Sequence, residues 1–161
     1  MYATPSRLPE PARARIADAL NAVLADGLDL HASLKVAHWN LKGPQFPALH
    51  LLFEEIATGL ATHNDSVAER AVTLGARAWG TVRHVAKASR VADYPQETTR
   101  DLEHVRLLGD RIDSYLEGVR RARSVAEKED DIDTVDLLTE IATDLEKHGW
   151  FLRASLEQGS P

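Results

Sequence analysis

With 161 residues, 43% of them hydrophobic and 27% charged, the chain has the composition of one ordinary globular domain that can bury a sizeable core. It has no cysteine, which excludes disulfides, thiolate zinc sites and iron–sulfur clusters; any metal must be held by His, Asp and Glu, a donor set that suits iron, manganese or zinc. The net charge of −6 works against sequence-independent binding to DNA phosphates. No run approaches the ~20 apolar residues of a membrane span. The first eleven residues also lack the apolar stretch of a signal peptide, so a cytoplasmic protein with no membrane partner is expected.

Glycine and proline cluster near 43–47, 75–80 and 95 and divide the chain into long segments with helical periodicity. The first runs roughly from Pro11 to Trp39, with the apolar stripe Ile16, Leu20, Val23, Leu24, Leu28, Leu34. Gly43-Pro44 and Pro47 end it and restart the chain. The second runs roughly from Pro47 to Leu74, with Leu49, Leu52, Phe53, Ile56, Leu60, Val67 and Leu74, and Gly75 is a natural C-cap. A short helix is expected around 82–90. The third long segment, roughly Glu97 to Lys128, carries Leu102, Val105, Leu108, Ile112, Leu116 and Val119. The fourth, roughly Thr134 to Glu157, carries Leu138, Ile141, Leu145, Leu152 and Leu156. Strand signals are absent. One all-α domain over 1–161 is expected, a four-helix bundle with a long crossover between its second and third helices. Residues 1–10 and 158–161 are expected to be flexible ends.

The second segment carries another row beside its core stripe: His50, Glu54, Ala57, Thr58, Ala61, Asp65, Ala68, Glu69. His50/Glu54 and Asp65/Glu69 are both i,i+4 pairs, and each pair shares a face. Eleven residues turn a helix by ~1100°, about 20° from a whole number of turns, so both pairs lie on one side. They are too far apart to meet within one helix, since Glu54 and Asp65 are separated by roughly 16 Å of rise. The midpoints of 54/65 and of 50/69 are, however, both 59.5. A two-fold axis near Gly59-Leu60 therefore sets His50 and Glu54 of one chain opposite Glu69 and Asp65 of a second, across a row of small residues, and creates two identical metal sites. A solvated acidic face with an incidental histidine is the simpler account of any single pair, but it explains the shared midpoint less well. His38 adds to the metal reading because the turn at Gly43 returns the chain so that His50 comes close to it; the alternative is a packed core histidine. His31 and His63 are read as core residues. His84, His104 and His148 have no acidic partner at metal-ligand spacing that fits the two-fold.

The stretch His38-Trp39-Asn40-Leu41-Lys42-Gly43-Pro44-Gln45-Phe46-Pro47-Ala48-Leu49-His50 resembles the HWN…G…F…LH signature of the Dps family, the mini-ferritins. Asp65-Ser66-Val67-Ala68-Glu69-Arg70, followed by Leu74-Gly75, resembles the family's D…AER signature, and 134–139 with 144–152 look like its last helix. The resemblance spans roughly 20 to 157. It implies a ferritin-like bundle assembled as a hollow twelve-subunit homo-oligomer, with ferroxidase sites at two-fold interfaces that oxidise Fe²⁺ with peroxide, in preference to O₂, for iron storage and protection against oxidative stress. The implied iron ligands are His38, His50 and Glu54 from one subunit and Asp65 and Glu69 from the other. Glu54 departs from the Asp usual at its position by one methylene.

The family's acidic three-fold pores are matched by the run Glu127, Glu129, Asp130, Asp131, Asp133, Asp136, with Asp136 the best pore residue; helix capping and charge complementarity at a helix start are the other reading. Trp39, beside His38, is a candidate electron donor to the iron site, or a packing residue. Trp150 is read as packing. A larger ferritin with its di-iron site inside the bundle needs Glu-x-x-His pairs, and no Glu here is followed three residues later by His. A DNA-compacting role would rest on a basic tail, yet residues 1–17 offer Arg7, Arg13 and Arg15 against Glu10. DNA binding is therefore expected to be weak or absent.

Overall fold

The computed structural model describes residues 1–157 and contains five helices: α1 (Glu10–Asn40), α2 (Phe46–Thr73), α3 (Val82–Ala88), α4 (Asp101–Lys128) and α5 (Ile132–Leu156). The four long helices match the expected segments closely, and the short one falls within 82–90. The expected flexible C-terminus, 158–161, lies outside the described residues. The short turns joining α1 to α2 and α4 to α5 make two antiparallel hairpins. α1 packs on α2 and on α4, and α5 packs on α4 and on α2, while α3 lies against α1. The fold is the all-α bundle with a long crossover from α2 to α4.

The four apolar stripes meet in one core, in which Phe53, Leu20, Leu34, Leu108, Ile112 and Tyr115 are fully enclosed. Leu28, Leu52, Leu102 and Leu156, placed in the stripes by periodicity, are only partly buried. α4 starts at Asp101 instead of Glu97 because the preceding residues are extended. Lys42 N–H donates to Thr99 O at 2.6 Å and Asp101 N–H to Lys42 O at 3.0 Å, which ties the start of α4 to the α1–α2 turn. Gly75 has φ +88°, the conformation a helix C-cap glycine adopts.

Residues 1–9, expected as a flexible tail, run past the end of α2. Tyr2 N–H donates to Gly75 O, Thr4 Oγ1 to Thr73 O at 2.8 Å, and Arg77 Nε to the Tyr2 hydroxyl at 2.7 Å. At the same end of the bundle, the acidic run before α5 serves capping. Asp131 is the α5 N-cap, accepting from Thr134 N–H, and receives Arg70 at 2.6 Å, while Arg15 holds Glu129 at 2.7 Å. Asp136 is exposed and carries no such partner among the described residues.

The crossover is held by one buried charge. Asp26, 1% exposed, accepts from Arg90 N–H at 2.7 Å and from its guanidinium at 2.6 and 3.0 Å. Arg90→Ala strands this carboxylate. Because the Arg90 side chain is 41% exposed and its backbone N–H stays in place, the expected loss is about 2 kcal/mol, below the full cost of an orphaned buried charge. A urea unfolding midpoint unchanged from wild type would contradict it.

Candidate metal centre

The site begins with the turn between α1 and α2. α1 ends when Leu41 turns extended, and Gly43 follows at φ +149°, with the Asp101 carboxylate so near that a Cβ at 43 would lie 2.2 Å from Oδ2. The same oxygen accepts from Gln45 N–H at 2.9 Å. A side chain at 43 has no room, so the turn is fixed, and it brings the last turn of α1 against the first of α2.

His38 and His50 consequently stack, with ring centroids 3.7 Å apart and planes 21° from parallel. The contact is reciprocal. His38 Nδ1 lies 2.9 Å from His50 O, and His50 Nδ1 lies 3.0 Å from His38 O. A carbonyl can only accept, so each Nδ1 carries a proton, and in the neutral ring Nε2 then keeps a free lone pair. This is the orientation in which second-shell carbonyls hold metal-binding imidazoles. Phe46 covers the His50 ring at 5.1 Å. One turn further along α2, Glu54 Oε2 stands 3.5 Å from His38 Nε2. Lys35, one turn before His38, donates to the same Glu54 oxygen. That hydrogen bond is the leading cause holding the Glu54 carboxyl below its ordinary value; desolvation opposes it, and nearby positive charge, Lys35 first, adds to the lowering.

The structure thus brings together His38, His50 and Glu54 and leaves Asp65 and Glu69 apart, both exposed further along the same side of α2. Among the described residues, no three His, Asp or Glu side chains of the one chain converge tightly enough to enclose a metal ion. Thr58 and Ala61 are exposed between the two groups, whereas Ala57, read into the same row, is buried in the core. His31 is not a core residue: it is half-buried in a groove shared with Leu28, Ala61, Asp65 and Gly80. Burial, and secondly the Lys35 charge, lower its pKa. Trp39 is 68% exposed, its ring 5.9 Å from Lys35 Nζ. Trp150 is also exposed, touching Phe151 and not the core.

Two roles escaped the sequence reading. Lys35 reaches Glu54 from another helix, a contact that no local spacing announces. Arg70, quoted only as part of a motif, anchors the start of α5. The bundle centre offers no intra-chain di-iron set. It holds Asn64 and Tyr115, whose polar atoms have no hydrogen-bond partner, and Asp26, which Arg90 neutralises.

A family model of the ferritin-like domain matches residues 17–160, which sets the class. The "DNA protection during starvation protein" of Agrobacterium fabrum is 35% identical over 99% of this chain and 98% of its own length. Its namesake from Mycolicibacterium smegmatis is 36% identical over 88% of this chain and 77% of its own. Among solved structures, DpsC from Streptomyces coelicolor superposes with a TM-score of 0.94 at 31% identity, covering 99% of this chain and 93% of that one. The Dps protein of Vibrio cholerae O1, described as a member of a broad superfamily of ferritin-like diiron-carboxylate proteins, superposes with a TM-score of 0.91 at 29% identity, over 98% of both chains. The chain belongs to the Dps family of ferritin-like proteins.

Lys35 competes with any cation for Glu54. Lys35→Gln is expected to tighten Co²⁺ binding by up to about fivefold, the scale of a partly exposed ion pair. Titration followed by visible absorbance measures it, and equal or weaker affinity in the variant would rule out the competition.

Proposed function

We propose that this protein is a cytoplasmic ferroxidase and iron-storage mini-ferritin that takes Fe²⁺ as substrate and protects against oxidative stress. Its reaction centre is shared between two subunits of a homo-oligomer, a dodecamer built on two-fold dimers. The observation that carries the reading is the half-site on each chain. Two imidazoles with free Nε2 atoms face Glu54, while exposed Asp65 and Glu69 sit at the mirrored spacing about residue 59.5. Apposed across a two-fold, each centre receives His38, His50 and Glu54 from one subunit and Asp65 and Glu69 from the other. Nitrogen and carboxylate donors together suit ferrous iron.

Two Fe²⁺ ions bound side by side give one electron each. Hydrogen peroxide takes both electrons with two protons and leaves as two waters, so no hydroxyl radical need be released. Peroxide is the proposed oxidant over O₂. The carboxylates favour the ferric product through its higher charge, and the Nδ1–carbonyl contacts fix the imidazoles in the ligating tautomer. Trp39, one residue from His38 and open to solvent, is placed to give an electron to an oxidising species that escapes the centre. Asp136 is proposed to line an acidic pore that concentrates Fe²⁺ by electrostatic focusing.

Mixed dimers test the shared centre. His50→Ala and Glu69→Ala are each expected to lose most Fe²⁺ oxidation. A dimer of one His50→Ala chain and one Glu69→Ala chain puts both defects in one centre and leaves the other intact. About half of wild-type activity should return by isologous geometry. Stopped-flow traces as slow as either parent would refute the shared site.

DNA compaction is the second reading, since relatives carry the name "DNA protection during starvation protein". The N-terminal arginines argue against it. Arg13 is buried and donates to Leu74 O at 2.8 Å, and Arg15 is paired with Glu129, leaving Arg7 on an acidic chain. Plasmid retardation is expected to be absent at ~150 mM salt, where phosphate-driven affinity has fallen steeply. Tight retention there would favour the DNA role.

A further inference from the structure

A second group of donors lies on the other side of α2. His63 is two residues from Asp65 and therefore ~200° round the helix, facing α5 instead of the proposed two-fold surface. Its Nε2 is 2.9 Å from Asp144 Oδ2. On α5, His148 follows Asp144 by one turn, with Nδ1 3.8 Å from Asp144 Oδ1 and Nε2 3.5 Å from Glu55 Oε1. Asp144 thus stands between two imidazoles, and Glu55 caps the far side of His148.

His148 is the independent observation. It is 3% exposed, and neither of its ring nitrogens has a hydrogen-bond partner, because the nearby carboxylates are at ion-pair distance without hydrogen-bond alignment. An enclosed imidazole with both nitrogens unmet keeps the full desolvation cost of each orphaned group. Nothing apolar required a histidine at this position, since a Leu or Phe fills such a space without that cost. A bound cation resolves the orphan, by accepting the lone pair of one nitrogen and leaving the other to a carboxylate.

We propose that His63, Asp144 and His148 form a binding site for a divalent transition-metal cation between α2 and α5, separate from the two-fold centre, with Glu55 taking the His148 nitrogen that the metal leaves free. Ligands ~2.1 Å from a tetrahedral metal lie roughly 3.4 Å from one another. The separations of Asp144 from His63 and from His148, 2.9 and 3.8 Å, bracket that value. The donors do not yet close round one point, so loading draws the Asp144 carboxylate and the two imidazoles together. Two imidazoles with carboxylate select Zn²⁺, Co²⁺ or Fe²⁺ over Mg²⁺ and Ca²⁺. The approach is a polar groove lined by Asp136, Glu140, Thr139, Thr143 and Lys147, which opens on His63 and Asp144.

The test uses the full-length protein carrying His50→Ala and Glu69→Ala, so that the two-fold centre is removed. Co²⁺ titration of this background is expected to give one ion per chain with the intense visible bands of a tetrahedral site. Adding His148→Leu should abolish the bands, and adding His63→Gln should weaken binding at least tenfold. Equal binding with and without His148, or no bands in the background, would overturn the proposal. The two-fold reading fails separately, if the wild-type protein binds no more Co²⁺ than the background. Should His148→Leu fail to fold, wild-type crystals soaked in Zn²⁺ decide. An anomalous peak in bonding contact with Asp144 and His148 supports the site, and a soaked crystal without one refutes it.

Discussion

The half-site depends on how the chain turns between α1 and α2. Gly43 at φ +149°, the Asp101 carboxylate pressed against it, and the Gln45 N–H that this carboxylate accepts form one constraint contributed by three parts of the chain. If the turn loosened, His38 and His50 would lose their stacking and the reciprocal Nδ1–carbonyl contacts together, because each ring is oriented by the other residue's backbone. The constraint also explains why α4 begins where it does. Asp101 is both the first residue of α4 and the clamp on a turn some sixty residues earlier in the chain, and the Lys42–Arg100 bridge holds the two in register.

The rest of the fold keeps the bundle interior free of metal chemistry. Asp26 is matched by Arg90, and Asp131 by Arg70. The Tyr94 hydroxyl meets His104 Nδ1 at 2.6 Å, with the Arg111 guanidinium 4.8 Å over the Tyr94 ring. Burial, the leading cause, raises the Tyr94 pKa and lowers that of His104, so both are neutral at pH 7. Asp26 with Arg90, and Tyr94 with His104 and Arg111, fasten the crossover to the bundle. The donor sets are left on the two flanks of α2, where its side chains reach past the core stripe.

The helices were legible because their apolar residues recur at 3.6-residue spacing and their ends carry Gly and Pro. The pairing of His38 with His50 was legible because a short turn leaves little freedom for the chain that follows it. What escaped was set by tertiary contact. Residues 97–100 have no local reason to avoid the helix; Lys42 pairs with them from across the fold. Ala57 and Ala61 are four residues apart on one row, yet α2 leans so that the first is buried and the second exposed. His31 follows the core period but lies where the α1–α2 contact opens into the groove. His148 was set aside because no acidic partner at metal-ligand spacing also fitted the two-fold. Its neighbours are Asp144, one turn earlier on its own helix, and Glu55, supplied by the other hairpin.

Dividing the proposed two-fold centre between chains ties metal loading to assembly. Neither half holds an ion well alone. Glu54 is already engaged by Lys35, and Asp65 and Glu69 are two like charges one helical turn apart in water. Apposition brings these carboxylates opposite Glu54 of the partner, which costs electrostatic energy unless a cation enters. Thr58 and Ala61 are small and exposed, so in the proposed dimer they would let the helices approach closely enough for one ion to touch both sides. A cation that binds the dimer and not the free chain stabilises the dimer by mass action, by about 2.7 kcal/mol when its concentration is a hundred times its dissociation constant. On the proposed reading, a chain that has not assembled lacks the two-fold centre at which Fe²⁺ would be oxidised. On this reading, the absence of a complete site in the single chain keeps iron oxidation where its product can be stored.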